Sequence, residues 1–173
     1  MYLLSLYFDK DSSRKIQKLI DRAALKSKNN FMIEGKVPPH ITIAAFQFND
    51  DHEIIKVLDK TISNINKGDI TWASVGSFKS SVLFLAPILN EYLHNLSVSI
   101  NNSLAEVKNI SVDKFYKPFQ WMPHTTIAKK LNREELLEVF EEVEKNFTIF
   151  SGAVVSIGLS KTGPCREIKR WHL

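Results

Sequence analysis

The chain has 173 residues, of which 44% are hydrophobic and 24% are charged, and its formal net charge is +4. This length predicts one domain with a substantial core, and the composition is ordinary for a soluble globular protein. The mild basic excess, with a pI near 9.1, permits an anionic partner without requiring one.

Cysteine content and the N-terminus bear on location. The single cysteine, Cys165, excludes an intramolecular disulfide, is interpreted as a bystander thiol, and is typical of a reducing compartment. Residues 1–8 are apolar, but they lack the basic lead of a signal peptide and are too short to cross a bilayer. We therefore expect a cytoplasmic monomer with no membrane partner.

Hydrophobic periodicity and turn residues predict alternating strands and helices along the chain. The predicted strands cover residues 2–8, 40–48, 69–78, 82–86, 124–131, 147–160 and 166–173. The predicted helices cover 12–28, a second from Asp50 or Asp51 to a closing Gly68, a third opening at Pro87, and a fourth opening at an Asn132–Glu135 capping box. Loops fill 35–39, 79–81, 109–122 and 161–164, and the third of these is rich in aromatic residues.

One six-residue stretch occurs twice. Residues 39–44 read PHITIA and residues 123–128 read PHTTIA, so five of six positions are identical. Side chains in a strand alternate between faces, which places His40 beside Thr42 and His124 beside Thr126. Two such strands facing each other would form a pocket with two imidazoles and two hydroxyls, which we interpret as the active site.

The order of elements also repeats. Strand, helix, His strand, helix and strand fill residues 2–78, and the same order fills 82–160, followed by one extra strand. This repetition predicts a single domain made of two similar lobes, with half-repeats at about 1–80 and 81–173. A pseudo-two-fold axis would bring the two His strands together at the lobe boundary, where ligand pockets are common.

Two imidazoles on opposite sides of a ligand suit acid–base chemistry at a phosphodiester. One neutral His can take a proton from the attacking group while a protonated His gives one to the leaving oxygen. Charge on the non-bridging oxygens requires fixed donors, which Thr42 and Thr126 can supply.

Other interpretations fit the residues less well. A metal site would need more ligands than one His per motif, and threonine is a poor ligand for Zn²⁺. A serine hydrolase would need a G-x-S-x-G nucleophile elbow, which the sequence lacks. Single His-x-Thr strands are usually structural, and only the duplication argues against that interpretation here. The remaining histidines, His52, His94 and His172, lack such a setting and are interpreted as structural or exposed.

The chain resembles the two-histidine phosphoesterase superfamily, which includes the bacterial 2′-5′ RNA ligase proteins. The residues that carry this resemblance are the paired HITI and HTTI motifs, the GSF and VLFL segments at 76–85 and the final IKRWHL segment. The resemblance spans nearly the whole chain. It implies an α+β, bilobal fold with two mainly antiparallel sheets flanked by helices, and a cleft between the lobes.

The resemblance further implies hydrolysis or transesterification of an RNA-derived 2′,3′-cyclic phosphate or a 2′-5′ phosphodiester, without metal or other cofactor. It assigns His40 and His124 as acid and base, and Thr42 and Thr126 as phosphate-binding residues. The implied partner is RNA or a ribonucleotide phosphate ester. Two alternatives remain: a module that binds a nucleotide or RNA end without turnover, and a purely structural or partner-binding protein.

The sequence departs from the family pattern beside both motifs. The family commonly has an Arg five residues after the second His, where this chain has Lys129, and strand alternation places Lys129 opposite His124 unless a bulge intervenes. After the first motif, Ala45 replaces the common aromatic and Phe46 follows it. Lys129, Phe46, Phe119 and Trp121 are possible substrate contacts, although core packing is the commoner role of such aromatics.

Overall fold

The computed structural model describes residues 1–163 and 166–173. The interpretation of Cys165 therefore lies outside the described residues. The strands are β1 (Tyr2–Phe8), β2 (His40–Gln47), β3 (Gly68–Phe78), β4 (Val82–Pro87), β5 (Ser111–Val112), β6 (Thr125–Lys129), β7 (Phe150–Lys161) and β8 (Arg166–His172). The helices are α1 (Lys10–Ser27), α2 (Phe31–Glu34), α3 (Asp51–Ile62), α4 (Glu91–Ala105) and α5 (Arg133–Asn146), with a 3₁₀ turn at Lys114–Tyr116.

The described strands form one antiparallel sheet in the order β5-β2-β1-β7-β3-β4-β6, with β8 paired to β7. We expected two sheets, and this expectation is corrected because β7 belongs to both halves. Its C-terminal part pairs with β1, and its first residues, Phe150 to Val154, pair with β3. At Val154 the partners Phe8 and Gly68 lie on opposite sides of β7, so hydrogen bonding continues from one half into the other.

The order of strands is symmetric about the β7–β3 pair. On one side the path runs β7-β1-β2, and on the other side it runs β3-β4-β6. Each outer strand of these triplets carries one His-x-Thr motif. The half-repeats themselves stay a prediction, and this strand order is consistent with them.

Helix ends differ in places from the predicted ends because local capping chemistry decides them. The capping box of Asn132 and Glu135 is present, whereas α1 begins earlier than expected, since the Asp9 carboxylate accepts from the amides of Asp11 and Ser12. Gly68 starts β3 instead of closing α3. A Cβ at this position would lie 2.3 Å from the Tyr92 ring, so the glycine is required by a close approach.

Pro87 ends β4 instead of opening α4. The Asn90 side chain caps this helix at the amide of Leu93. α1 packs against α5, and α3 packs against α4, so the two helix pairs cover the sheet. Trp72, fully buried, packs edge-on against Phe8 and stacks on Phe150, which joins both halves of the core. Among the described helices, none combines the length and apolarity needed to cross a membrane.

Candidate active site

The two His strands approach each other although the sheet order separates them by four strands. β2 and β6 are in direct contact, so the sheet curls until these outer strands meet. The indole N–H of Trp121, just before β6, donates to the Thr42 carbonyl in β2 at 3.0 Å. We call the space bordered by His40, Thr42, His124 and Thr126 the cleft.

Strand alternation places the four motif side chains as the sequence predicted. His40, Thr42, His124 and Thr126 are half-buried, whereas Ile41, Ile43, Thr125 and Ile127 between or beside them are buried. The buried Thr125 hydroxyl accepts from the Trp72 indole at 3.0 Å, which explains how a polar residue is tolerated behind the motif.

Both motifs contain a β-bulge at the residue after the threonine. Ser5 pairs with Thr42 and Leu4 with Ala44, which leaves Ile43 as the extra residue. Phe84 pairs with Thr126 and Leu83 with Ala128, which leaves Ile127 as the extra residue. A bulge shifts the alternation of every residue beyond it.

The bulges decide the faces of two residues that were named as possible substrate contacts. Lys129 pairs with Val82, two residues from Phe84 on β4, so Lys129 shares the face of Thr126 instead of opposing it. Phe46 turns into the core, where it is 1% exposed and stacks on Tyr2 at 5.2 Å, so it is not available to a substrate.

The two catalytic candidates have the same ring orientation. His40 Nδ1 lies 2.8 Å from the Pro38 carbonyl, and His124 Nδ1 lies 2.9 Å from the Met122 carbonyl. A carbonyl oxygen only accepts, so Nδ1 must donate, and the neutral ring then carries its lone pair on Nε2. Each ring is therefore held by the backbone two residues earlier with Nε2 as its exchangeable site.

Burial lowers the pKa of His40 below its ordinary value of 6.5, the bond to the Pro38 carbonyl partly opposes this, and the charge of His124 lowers the pKa further. Burial also lowers the pKa of His124, against a raising effect of the Met122 carbonyl. The interaction between the two imidazoles means that protonation of one disfavours protonation of the other. This repulsion disfavours the state in which both rings are protonated.

The surroundings of the two rings differ. On the first side the Ser5 hydroxyl lies 3.4 Å from the Thr42 hydroxyl, and the Tyr7 ring lies 6.0 Å from the His40 ring. On the second side His124 is packed by Phe78 at 4.8 Å and Phe84 at 5.5 Å. The first side of the cleft is thus polar and the second is aromatic.

A cavity of about 500 Å³ opens beside His124. Most of its lining comes from the loop between α4 and β6, and Phe78 of β3 completes it. The lining residues are Phe78, Asp113, Phe115, Tyr116, Gln120, Trp121, Met122 and His124. This loop is held at the edge of β2, since β5 pairs there and the Asp113 amide donates to the Ala45 carbonyl at 2.8 Å.

The two aromatic candidates of this loop have different positions. Trp121 lines the cavity, but it is only 8% exposed and its indole is bound to Thr42. Phe119 is 89% exposed, packs near His94 at 4.9 Å and does not line the cavity. Phe78 and Phe115, which were not named as possible substrate contacts from the sequence, line the cavity instead. Strand pairing and loop placement decide this, and neither is visible in local sequence.

The two motifs supply two imidazoles and two hydroxyls to the cleft, and Asp113 is the carboxylate among the residues that line the cavity beside His124. Across residues 1–163 and 166–173, no three His, Cys, Asp or Glu side chains converge to hold a metal ion. Arg170, a residue of the final IKRWHL segment, lies on the same sheet face as His40.

The fold and this paired His–Thr cleft define an α+β protein of the phosphoesterase type. The family model of the 2′-5′ RNA ligase superfamily matches residues 10–163, so the chain belongs to that superfamily. No curated protein matches the chain.

Solved structures share the fold at low sequence identity. A protein described as a phosphoesterase is 17% identical with a TM-score of 0.61, covering 99% of this chain and 97% of its own. E. coli LigT in complex with ATP is 18% identical with a TM-score of 0.56, covering 99% and 96%. Usb1 of Kluyveromyces marxianus is 14% identical with a TM-score of 0.50, covering 99% and 97%.

Proposed function

We propose that this protein is a metal-independent phosphodiesterase that hydrolyses RNA-derived 2′,3′-cyclic phosphates or 2′-5′ phosphodiester linkages. The observation that carries the proposal is the matched orientation of His40 and His124 on two contacting strands, each with a threonine on the same face. Membership of the 2′-5′ RNA ligase superfamily supports this substrate class.

For a cyclic phosphate, one neutral imidazole takes a proton from water through Nε2 as the water oxygen bonds to phosphorus. The protonated imidazole gives its proton to the departing 2′- or 3′-oxygen as that P–O bond breaks. The product is a phosphate monoester, and each ring ends in the protonation state of the other. Thr42 and Thr126 donate to the non-bridging oxygens, where charge grows.

The aromatic cavity beside His124 is a suitable seat for a nucleobase. Phe115 and Met122 are exposed within it, and stacking on an aromatic ring contributes about 1–3 kcal/mol per base. E. coli LigT has been solved in complex with ATP and with 3′-AMP, which supports nucleotide binding by this protein.

The test is hydrolysis of 2′,3′-cyclic nucleotides and of 2′-5′ and 3′-5′ dinucleotides in EDTA, with products identified by the position of the phosphate. We expect His40→Ala and His124→Ala each to lower kcat by about 10²–10⁴-fold, since each removes a general acid or base. His52→Ala, an exposed histidine of α3, is the matched control and should retain full activity.

Activity that survives both substitutions, or that EDTA abolishes, would contradict the assigned roles. Tight nucleotide binding with no hydrolysis at any pH would favour the alternative of a binding module.

A further inference from the structure

The sheet face that carries His40 continues across three more strands and ends at a cation. Tyr7 of β1 pairs directly with His40. Ser5, on the same face of β1, pairs with Gly158 of β7, which pairs in turn with Arg170 of β8. Because paired residues project to the same side of a sheet, Arg170 shares the cleft face.

Arg170 reaches back toward His40 along this row. Its guanidinium carbon lies 3.8 Å from the centre of the Tyr7 ring, and that ring lies 6.0 Å from the His40 ring. Gly158 makes this possible, since a Cβ there would lie 2.8 Å from the Tyr7 ring. The Tyr7 ring therefore lies between the Arg170 guanidinium and the His40 ring.

The orientation of the guanidinium is fixed. Its Nε donates to both carboxylate oxygens of Glu167, at 3.2 and 3.1 Å, and its Nη2 also donates to this carboxylate. This pair holds one edge of the guanidinium, and Tyr7 is a further hydrogen-bond partner of Arg170. The side chain of Arg170 is 26% exposed, and because its orientation is already fixed it would lose little conformational entropy on binding an anion.

On the opposite side of the cleft the His124 ring packs against Phe78 and Phe84. The cation of that side, Lys129, is exposed on the face of Thr126 and has no carboxylate partner among the described salt bridges. The other long cation of β8 nearby, Lys169, is committed to Asp59 of α3 at 2.6 Å. The cleft thus has an aromatic end suited to a base and a cationic end suited to a second anionic group.

We propose that Arg170 forms a second phosphate subsite, which binds a phosphate of the substrate other than the one between His40 and His124. This inference rests on the proposed function and narrows its substrate class. The preferred substrate carries at least two phosphates, as an RNA end or a 5′-phosphorylated nucleotide does, and a nucleoside cyclic monophosphate is a poorer one.

The experiment compares kcat/KM for adenosine 2′,3′-cyclic phosphate with and without a 5′-phosphate. We expect the protein to prefer the 5′-phosphorylated compound, and Arg170→Gln to reduce this preference about tenfold or more, since a hydrogen bond to a charged group is lost. Arg170→Lys should retain part of the preference, because it keeps the charge without the planar fork. Arg14→Gln is the matched control, since Arg14 also pairs with a carboxylate three residues earlier, Asp11, but on helix α1.

Thermal unfolding of each variant shows whether it is folded. If Arg170→Gln does not fold, the preference of Arg170→Lys for the 5′-phosphorylated compound tests the proposal instead. A ratio that is the same in the wild type and both Arg170 variants overturns the proposal, as does a wild type without any preference.

Binding of adenosine 2′-monophosphate and adenosine 2′,5′-bisphosphate, measured by calorimetry, separates this inference from the proposed function. If neither the cyclic compounds nor the 2′-5′ dinucleotides are hydrolysed, the proposed function fails. An Arg170-dependent preference for the bisphosphate would then still support the subsite, and its absence would overturn it.

Discussion

His40 and His124 have equivalent backbone partners and the same ring orientation, but different side chains surround them. Each Nδ1 is bound to the carbonyl two residues earlier, so the distinction between acid and base comes from the environment. Tyr7 adjoins the first ring, whereas Phe78 and Phe84 enclose the second. Burial lowers the pKa of both rings, which has a consequence for stability.

We expect the free energy of unfolding to fall as the pH is lowered from 7.5 to 5. The unfolded rings take up protons near pH 6.5, whereas the folded rings do so only at lower pH. The unfolded state therefore binds more protons between these values, so the contribution of the two histidines is fully present above pH 6.5 and is lost below it.

Denaturant unfolding at several pH values measures this dependence. The double variant His40→Gln/His124→Gln should show a flatter profile than the wild type, and His52→Gln should follow the wild type. Carboxylates titrate mainly below this range. Equal slopes for the double variant and the wild type would contradict the argument.

At the scale of the element, the two bulges decide which residues face the cleft. The sequence predicted both His strands and the faces of their first three residues. A strict period of two would then place Phe46 with His40 and Lys129 away from His124, and a bulge, which was allowed for at Lys129, reverses both positions. An inserted residue at Ile43 and at Ile127 reverses the alternation, and hydrogen bonding to the neighbouring strand determines such an insertion.

Lys129 is exposed beyond the second bulge on the face of Thr126. We expect Lys129→Gln to raise KM by about three- to tenfold with little change in kcat, because an exposed lysine contributes a screened phosphate contact. Steady-state kinetics at low and moderate salt measure the effect.

The adjacent Lys130→Gln provides the control, since Lys130 lies over the Phe31 ring at 4.1 Å. Similar effects of both variants would show that only general charge matters.

At the scale of the whole molecule, curvature of the sheet creates the cleft. β2 and β6 are the outer strands of the two triplets, and they meet because the sheet curls around the β7–β3 pair. The loop before β6 holds β2 and β6 together, since it adds β5 to the edge of β2 and its Trp121 indole donates to the Thr42 carbonyl.

We expect Trp121→Phe to lower both stability and activity. The substitution keeps an aromatic ring but leaves the Thr42 carbonyl without its indole donor, at a cost of about 1–3 kcal/mol. Loss of this tie across the cleft should also reduce kcat/KM, because the two histidines are then less firmly positioned.

Trp171→Phe is the comparison variant, since its indole donates to Asp59 at 2.7 Å, away from the two motifs. Trp171→Phe should reduce stability, measured by urea unfolding, without reducing activity, measured by hydrolysis of a cyclic nucleotide. A drop in activity of the same size in both variants would point to a general loss of stability instead.

The sequence by itself determined the order of the strands other than β5 and of the helices other than the short α2, the duplicate His–Thr motif and the side of each His strand on which its first residues lie. These features depend on periodicity and on neighbours along the chain, which the sequence displays directly. The tertiary structure alone decided that β7 joins two expected sheets into one, that Lys129 and not Phe46 faces the cleft, and that Arg170 lies in the row of His40. Each of these depends on register between strands distant in sequence, and register is set by hydrogen bonding and packing across the sheet.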